Sequence, residues 1–299
     1  MPEGLIVTAH GRHSVLERPD GKRLQAHSRG KRLEVVVGDR VRWQPTQSSG
    51  EEQAVIEEVL ERRNLMHRQD AWRTKSFAAN LDQVLVLLSG QPMFSESMLM
   101  RALIAADAAG LDVLLLLNKI DLPQTEPARE RLRPYVAMGM ELIEASVKHA
   151  QEAAQALLKT RLAGRTTLLL GASGTGKSSL LNLMIPKADS RVGEISQALQ
   201  AGRHTTTHTS LHWLDEQRQG ALIDSPGFQE FGLHQINPSR LAAHLPDFRP
   251  LVDQCRFSNC MHLQEPGCAV TAAVADGTVS ASRHALYAQI LEELQRPRW

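Results

Sequence analysis

The chain has 299 residues, enough for about two domains of ordinary size or three small ones. Hydrophobic residues make up 42% and charged residues 22%, which is typical of a soluble globular protein, and no apolar run approaches the roughly 20 residues that span a bilayer. A formal net charge of +1 does not mark the chain as a nucleic-acid-binding protein. Because the N-terminus, Met1 to Gly4, lacks the basic and apolar blocks of a signal peptide, we expect a cytoplasmic protein with no membrane partner.

The first 70 residues carry short β-like runs that are broken by turn signals. Several short strands at this spacing predict a small all-β barrel or sandwich. A stretch rich in Gln, Ser and Glu, from Gln44 to Gln53, is predicted to be a loop within it. The predicted strands are Leu5–Thr8, Leu33–Val37, Arg40–Trp43 and Ala54–Ile56.

The same region is locally basic. Between Met1 and Leu33, seven arginines and lysines face three acidic residues, which gives this segment a net charge of +4. Such a run indicates either a solvated surface or a contact with nucleic acid, and the sequence leaves both interpretations open.

From residue 71 to residue 232, fully apolar runs alternate with helix-like segments. This alternation predicts an α/β domain in which a parallel sheet is covered on both faces. The apolar runs are Val84–Leu88, Val113–Leu117, Thr167–Leu170 and Ala221–Ile223. The helix-like segments are Ser97–Ala109, Glu126–Val136 and His149–Leu162.

A phosphate-binding pattern, G-x-x-x-x-G-K-[ST], begins at Gly171 and lies between a predicted strand and the predicted helix Ser179–Met184. Backbone amides of such a loop cradle phosphates, while Lys177 is expected to reach the β- and γ-phosphates and Ser178 to bind Mg²⁺. The alternative is a chance glycine-rich turn, which the flanking strand and helix disfavour. The predicted phosphate-loop residues are Gly171, Ala172, Ser173, Gly174, Thr175, Gly176, Lys177, Ser178 and Ser179.

A second motif, Asn118-Lys119-Ile120-Asp121, follows the predicted strand Val113–Leu117, at the edge where ligands bind an open α/β sheet. The Asp121 carboxylate can accept hydrogen bonds from N1–H and the exocyclic amine of guanine, a donor pair that adenine lacks. Leaving such a carboxylate unpaired costs enough free energy to reject the wrong base. The pattern alone is a common loop composition, but beside a phosphate loop it predicts a guanine-nucleotide site.

Two further segments fit this site. Asp224-Ser225-Pro226-Gly227 follows the Ala221–Ile223 strand, where Asp224 is expected to hold the water shell of Mg²⁺ and the Gly227 amide to meet the γ-phosphate. Ser146, Val147 and Lys148 resemble the loop that backs the guanine base, although a plain surface turn is the open alternative.

The order of these motifs is unusual. In ordinary small GTPases the phosphate loop comes first and N-K-x-D last, whereas here Asn118 precedes Gly171 and Asp224 comes after both. A closed site tolerates such a circular permutation when the original termini lie close together. Because Asp224 then leads into the C-terminal region, nucleotide state is expected to be able to move that region.

The C-terminal region, residues 233–299, is predicted to be mostly helical around a metal site. All three cysteines of the chain lie there, and an odd number of cysteines in a cytoplasmic protein argues against a disulfide framework. The spacing Cys255-x₄-Cys260-x-His262-x₅-Cys268 gives a closed set of four ligands that suits structural zinc, with three reduced buried thiols as the alternative. The module fits docking to RNA, and docking to protein is not excluded.

These motifs together resemble the bacterial circularly permuted GTPases of small-ribosomal-subunit assembly, the RsgA or YjeQ family. The resemblance spans nearly the whole chain and implies an OB-fold over residues 1–70, a permuted G domain over 71–232 and a zinc domain over 233–299. It also implies binding to the 30S subunit and its rRNA, with GTP hydrolysis stimulated by the subunit. The segments that carry it are Gly38–Val41, Asn118–Asp121, Gly171–Ser179, Gly202–Thr207, Asp224–Phe228 and the cysteine cluster.

The groups that assist hydrolysis are less clear. One of Thr205, Thr206 and Thr207 is expected to coordinate Mg²⁺, unless this is only a Thr-rich strand. Phe228 stands where Ras-like enzymes carry the glutamine that orients the attacking water. We therefore predict slow intrinsic hydrolysis in which His204, or a group from the ribosome, orients the water beside Lys177 and Asp224; a purely structural role for His204 stays open.

The predicted function is a Mg²⁺-dependent GTPase that matures the 30S subunit, converts GTP to GDP and phosphate, and acts as a monomer, since nothing in the sequence requires a dimer. One alternative is an RNA-binding module in which GTP is mainly a conformational lock with little turnover. Another is a phosphate-loop ATPase unrelated to translation, which requires Asp121 to be coincidental.

Overall fold

The N-terminal strands close into a five-stranded barrel. They are β1 (Glu3–His10), β2 (His13–Glu17), β3 (Arg23–Ser28), β4 (Arg40–Ser48) and β5 (Glu51–Val59). This computed structural model describes residues 1–10, 13–29, 33–48, 50–70, 73–185, 209–225, 233 and 235–296. The strands follow the order β1-β2-β3-β5-β4, and β4 pairs back with β1, which confirms the predicted all-β, OB-like barrel. Its interior is filled by Ile6, Leu16, Leu24, Ala26, Val41, Trp43, Ala54 and Ile56.

Two local predictions in the barrel are wrong. The segment Leu33–Val37 is not a strand, and only Val37 forms an isolated bridge, with Ala78. This segment instead turns back, because the buried Asp39 carboxylate accepts a hydrogen bond from the Val36 amide at 2.8 Å. The predicted loop Gln44–Gln53 belongs to the β4–β5 hairpin, in which Ser48 pairs with Glu51. Its polar composition reflects exposure of this hairpin and not a lack of strand structure.

A second hairpin leads from the barrel to the α/β domain. Its strands are β6 (Leu65–Asp70) and β7 (Arg73–Ala79), and together they form a separate two-stranded sheet. The predicted boundary at residues 70 and 71 falls between these paired strands, and both predicted domain boundaries stay predictions.

The α/β domain has the predicted alternation of strands and helices. Its strands are β8 (Gln83–Ser89), β9 (Asp112–Asn118), β10 (Glu141–Ala145), β11 (Thr166–Gly171), β12 (Thr209–Trp213) and β13 (Ala221–Asp224). Its helices are α1 (Glu96–Ala108), α2 (Thr125–Ala137), α3 (Gln151–Leu162) and α4 (Lys177–Met184). The order is β10-β9-β8-β11-β13-β12, with all neighbours parallel except β12 and β13.

Alternate residues of the central strands pack on opposite faces of the sheet. On one face, Leu85 and Leu87 of β8 join a cluster with Leu158 of α3 and Leu180 of α4. On the other face, side chains such as Val86 belong to a larger cluster with α1 and α2. Burial on both faces explains why these strands are continuous apolar runs in the sequence.

The barrel and the α/β domain share one sheet. Strand β12 pairs with β13 on one side and with β1 on the other, where Thr8 lies opposite Ser210 and Ala9 opposite Thr209. The result is an eleven-stranded sheet that runs from β10 to β4.

The C-terminal region is helical and packs on α1 and α2. It contains a 3₁₀ helix (Pro238–His244), α5 (Arg249–Val252), α6 (Ala269–Ala275) and α7 (Ala281–Gln295). Leu241, Phe248 and Tyr287 lie in the same hydrophobic cluster as the residues of α1, so this region has no separate core. Across the part of the chain that the structure describes, no helix combines the length and the apolar character needed to cross a bilayer.

Candidate nucleotide and metal sites

The carboxyl ends of the parallel strands open into a cleft of about 510 Å³. Three of the predicted motifs contribute to its walls, although they are far apart in the sequence. The lining residues are Asn118, Lys119, Asp121, Leu122, Ser146, Lys148, His149, Ser173, Gly174, Gly176, Lys177, Ser178 and Ser179.

The phosphate loop connects β11 directly to α4. Gly176 precedes the helix with a φ of +110°, and a Cβ at this position would lie 2.4 Å from Nδ2 of Asn118. Gly174 also has a positive φ, of +80°. Only glycine adopts such a backbone without strain and allows the Asn118 side chain to approach so closely. The helix therefore begins at the cleft, with its N-terminal amides and the positive end of its dipole at the cleft wall.

The ammonium group of Lys177 lies over this loop. Its Nζ donates hydrogen bonds to the carbonyl oxygens of Gly171 at 2.6 Å and Ala172 at 3.2 Å. Burial lowers the pKa of Lys177 below its ordinary value, while the nearby Asp224 acts to raise it. Asp224 itself is buried at the end of β13, next to the strand that leads into the loop.

Asn118 ties three loops together. Its Nδ2 donates to the carbonyl of Thr175 at 2.8 Å, and its Oδ1 accepts from the backbone amide of Val147 at 3.0 Å. The next residue, Lys119, donates from Nζ to the carbonyls of Gly174 at 2.6 Å and Gln91 at 2.7 Å. The Asn118–Asp121 turn is thus fixed to the loop before α4 by side-chain hydrogen bonds.

The Asp121 carboxylate faces the cleft from this turn. The Ser146 hydroxyl donates a hydrogen bond to its Oδ1, and Nε2 of His149 lies 3.9 Å from its Oδ2. The hydrogen bond from Ser146 lowers the pKa of Asp121 below its ordinary value, so the group is an ionised acceptor at neutral pH. Of the other predicted residues, Lys148 lines the cleft, whereas Val147 is buried behind it and Ile120 is not among the lining residues.

Several predicted residues lie outside the described part of the chain. They are His204, Thr205, Thr206, Thr207, Gly227 and Phe228.

The four predicted metal ligands converge on one point. The ligand atoms of Cys255, Cys260, His262 and Cys268 all lie within 4.8 Å of one another. Sγ of Cys255 is 3.4 Å from Nδ1 of His262 and 3.9 Å from Sγ of Cys268, and Sγ of Cys268 is 3.6 Å from the same nitrogen. A tetrahedral zinc ion with Zn–S of about 2.3 Å and Zn–N of about 2.0 Å requires ligand separations of roughly 3.5 to 3.8 Å. This group therefore fits a metal ion.

Hydrogen bonds hold these ligands in place. The backbone amide of Ala269 points at Sγ of Cys255 at 3.4 Å, and that of Thr271 points at Sγ of Cys268 at 3.5 Å. Cys268 is also the residue that precedes α6, so its thiolate lies at a helix N-terminus. Such donors stabilise negative charge on sulfur, which is the form that binds metal.

The basic residues of the N-terminal segment that the structure describes are paired with acidic residues of the barrel. Arg23 binds the buried Glu17 at 2.7 Å, and Lys22 and Arg18 both contact Glu52. Arg29 is paired with Glu57 at 2.8 Å. These pairs neutralise the charge of the four described basic residues, whereas Arg12, Lys31 and Arg32 lie outside the described part of the chain.

Comparison with known proteins identifies the family. The family model described as RsgA GTPase matches residues 59–234. The chain belongs to the RsgA GTPase family. It is 53% identical over 293 residues to the small ribosomal subunit biogenesis GTPase RsgA of Burkholderia pseudomallei strain K96243, which covers 97% of this chain and 92% of the relative. It is 54% identical over 295 residues to the protein of the same name from Paraburkholderia phytofirmans, with the same coverage.

Two solved structures share the whole architecture of this RsgA-family chain. YjeQ from Thermotoga maritima matches with a TM-score of 0.73 and 30% identity, covering 99% of both chains. YloQ, described as a circularly permuted GTPase, matches with a TM-score of 0.70 and 26% identity, covering 100% of this chain and 97% of the other. The predicted fold class and the permuted order of motifs are confirmed, and the chain is a GTP-hydrolysing enzyme.

Sequence reasoning missed His149, Leu122 and Gln91 at the RsgA-family cleft. His149 and Leu122 line it, and the Gln91 carbonyl positions Lys119. The one signal that could have indicated Gln91 is its position in the sequence. It follows the end of β8, and the parallel strands that end at Asn118 and Gly171 reach the same edge of the sheet.

Proposed function

We propose that this RsgA-family GTPase binds GTP and Mg²⁺ in the cleft, hydrolyses GTP to GDP and phosphate, and acts in maturation of the 30S ribosomal subunit with stimulation by that subunit. The observation that carries the proposal is the Asn118 side chain, which joins Thr175 and Val147 and so places Asp121 and Lys177 around one cavity. Binding of a guanine nucleotide requires a group that recognises the base, here Asp121, and a group that binds the phosphates, here Lys177, in the same cleft.

In this proposal Asp121 accepts the N1–H and exocyclic amine of guanine. The Ser146 hydroxyl keeps the carboxylate ionised and oriented, and Lys148 and His149 border the base. Adenine presents no such donor pair, so binding it would leave Asp121 without partners and cost enough to exclude it. The remaining base-side residues, Lys119, Ile120 and Val147, shape the turn and the loop behind it.

The phosphates are bound by residues Gly171–Ser179. Their backbone amides and the N-terminus of α4 meet phosphate oxygens, and Lys177 exchanges its contacts with the Gly171 and Ala172 carbonyls for the β- and γ-phosphates. Ser178 and Asp224, with one of Thr205, Thr206 and Thr207, would hold Mg²⁺; a hydroxyl and a carboxylate are suitable hard donors. When bound, Mg²⁺ neutralises charge that develops on the phosphates.

Hydrolysis transfers the γ-phosphoryl group to water and leaves GDP as the leaving group. Lys177 stabilises the negative charge on the transferred group, and the Gly227 amide contacts the same phosphate. We propose that His204, or a group from the ribosome, orients the attacking water. The side chain of Phe228 has no polar atom and therefore cannot orient it. The alternative of a nucleotide lock with little turnover is not favoured, since the family is one of GTPases.

The names of the relatives support the ribosomal role. We extend it to contact with rRNA, a cytoplasmic location and a monomeric chain. We also propose that residues 1–70, 71–232 and 233–299 act as three domains. The metal at the Cys₃His group is proposed to be zinc, because the observed S···N and S···S separations match a tetrahedral zinc site.

Steady-state hydrolysis of GTP and of ATP, each with and without purified 30S subunits, tests the proposal. We expect slow turnover of GTP alone, faster turnover with subunits, and no comparable turnover of ATP. Equal rates with GTP and ATP would contradict recognition of guanine by Asp121. Equal rates with and without subunits would contradict the ribosomal role.

A further inference from the structure

A single aromatic side chain stands out on the surface of the metal module. Phe257 is 42% exposed, in the short connection between the ligands Cys255 and Cys260. Its neighbours Arg256, Ser258 and Asn259 are also exposed. Phe257 therefore lies in a polar, exposed stretch of the chain.

The connection is held firmly at both ends. The Arg256 amide donates to the carbonyl of Gly267 at 3.0 Å, and the Cys260 amide donates to the carbonyl of Phe257 at 3.2 Å. A Cβ at Gly267 would lie 2.9 Å from Cβ of Arg256, so the two loops of the module pack closely. With a predicted metal ligand at each end and these hydrogen bonds, the backbone that carries Phe257 is anchored to the rest of the module.

Arg256 completes the surface. Its guanidinium carbon lies 5.3 Å from the centroid of the Phe257 ring, in a cation–π contact. Arg249 and Arg283 in the same region are paired with Asp107 and Asp247, whereas no acidic side chain of the described residues pairs with Arg256. The positive charge of Arg256 therefore stays available to a phosphate.

We propose that Arg256 and Phe257 form a stacking platform for an unpaired nucleobase of RNA. Single-stranded bases are bound by stacking on aromatic rings and guanidinium planes, with a positive charge for the backbone. A protein partner would instead require an apolar cluster around the aromatic anchor, and Ser258 and Asn259 do not provide one. This inference rests on the proposed ribosomal function. It assigns contact with an exposed rRNA base to Arg256 and Phe257.

The test compares full-length variants for binding to purified 30S subunits in the presence of a non-hydrolysable GTP analogue. Phe257→Leu keeps the apolar volume but removes the aromatic face, and it is expected to weaken binding roughly 10-fold. Phe257→Trp retains the face and is expected to bind at least as tightly as the parent. Leu157→Ala, at another exposed apolar residue, is the matched control and should leave binding unchanged.

Chemical probing of the rRNA supplies the second measurement. At saturating protein, the parent should protect at least one unpaired base that stays reactive with Phe257→Leu. Metal content and GTP turnover without subunits should be the same in all variants, which shows that the module is folded. Unchanged affinity of Phe257→Leu would overturn the platform, as would weaker binding without any change in base protection, which would indicate a protein partner. If the parent itself neither binds 30S subunits nor is stimulated by them, the ribosomal function fails and the platform with it.

Discussion

The side-chain amide of Asn118 donates a hydrogen bond to the backbone carbonyl of Thr175 at 2.8 Å, across 57 positions of sequence. This contact joins the turn that we propose reads the base to the loop that we propose holds the phosphates. Because Asn118 is almost fully buried, losing its side chain leaves polar backbone groups without partners.

Asn118→Ala is therefore expected to weaken binding of GDP and GTP by roughly 10- to 100-fold, in line with about 1–3 kcal/mol for an unsatisfied buried group. Isothermal titration calorimetry would measure the change. Gln155→Ala is the control, because Nε2 of Gln155 also bonds to a backbone carbonyl, that of Leu183 at 2.9 Å, but outside the cleft. Equal loss of affinity in both variants would show that the effect comes from general destabilisation.

Asp121→Asn is expected to shift nucleotide preference from guanine to xanthine. An amide can donate to the 2-oxo group of xanthine, whereas it repels one of the guanine donors. Competition of GDP and XDP for a fluorescent nucleotide would measure the preference. Asp112→Asn, at an exposed aspartate that pairs with Arg165, should keep the preference of the parent. An unaltered preference in Asp121→Asn would place the base elsewhere.

Removal of the metal is expected to destabilise the α/β domain as well as the C-terminal module. Residues of that module share one hydrophobic cluster with α1 and α2, so loosening the Cys₃His group exposes apolar surface of the α/β domain as well. Chelation should lower the midpoint of thermal unfolding, followed by circular dichroism, and added zinc should restore it. A midpoint that does not respond to chelator or to zinc would contradict the metal site.

Arg283→Met is expected to reduce the free energy of unfolding by about 3–5 kcal/mol, because it leaves the Asp247 carboxylate, only 10% exposed, without its partner. The Arg283 side chain is 2% exposed, binds Asp247 at 2.6 and 2.7 Å, and lies 4.8 Å from the centroid of the Tyr135 ring in α2. Arg296→Met removes an exposed pair with Glu292, which solvent screens, and should leave stability almost unchanged. Urea unfolding of both variants would compare them, and similar midpoints would show that the buried pair adds little.

Much of the nucleotide site could be predicted because its chemistry lies in short contiguous motifs. Gly176 must be glycine for its backbone and for Asn118, and this requirement is visible as a pattern of residue types. The metal ligands were equally visible, since cysteine and histidine at this spacing have few other uses in such a chain. The apolar strands of the central sheet followed from their burial on both faces.

Contacts between distant segments could not be predicted in the same way. The hydrogen bond from Lys119 to the Gln91 carbonyl uses a backbone atom that every residue carries, so no residue type marks it. The tip of the β4–β5 hairpin, Gln44–Gln53, was predicted to be a loop because its mostly exposed residues leave no apolar alternation to detect. Pairing of β1 with β12 likewise depends on where the two domains meet.

That pairing has a mechanical consequence. β12 begins two residues after Thr207. It pairs with β13 on one side, where Ser210 lies opposite Asp224, and with β1, the first strand of the barrel, on the other. Sliding β1 along β12 by one residue would turn its buried side chains outward, so the barrel is held in register. Because β12 is hydrogen-bonded to β13 on one side and to β1 on the other, a shift of β12 beside Asp224 would be transmitted to the first strand of the barrel.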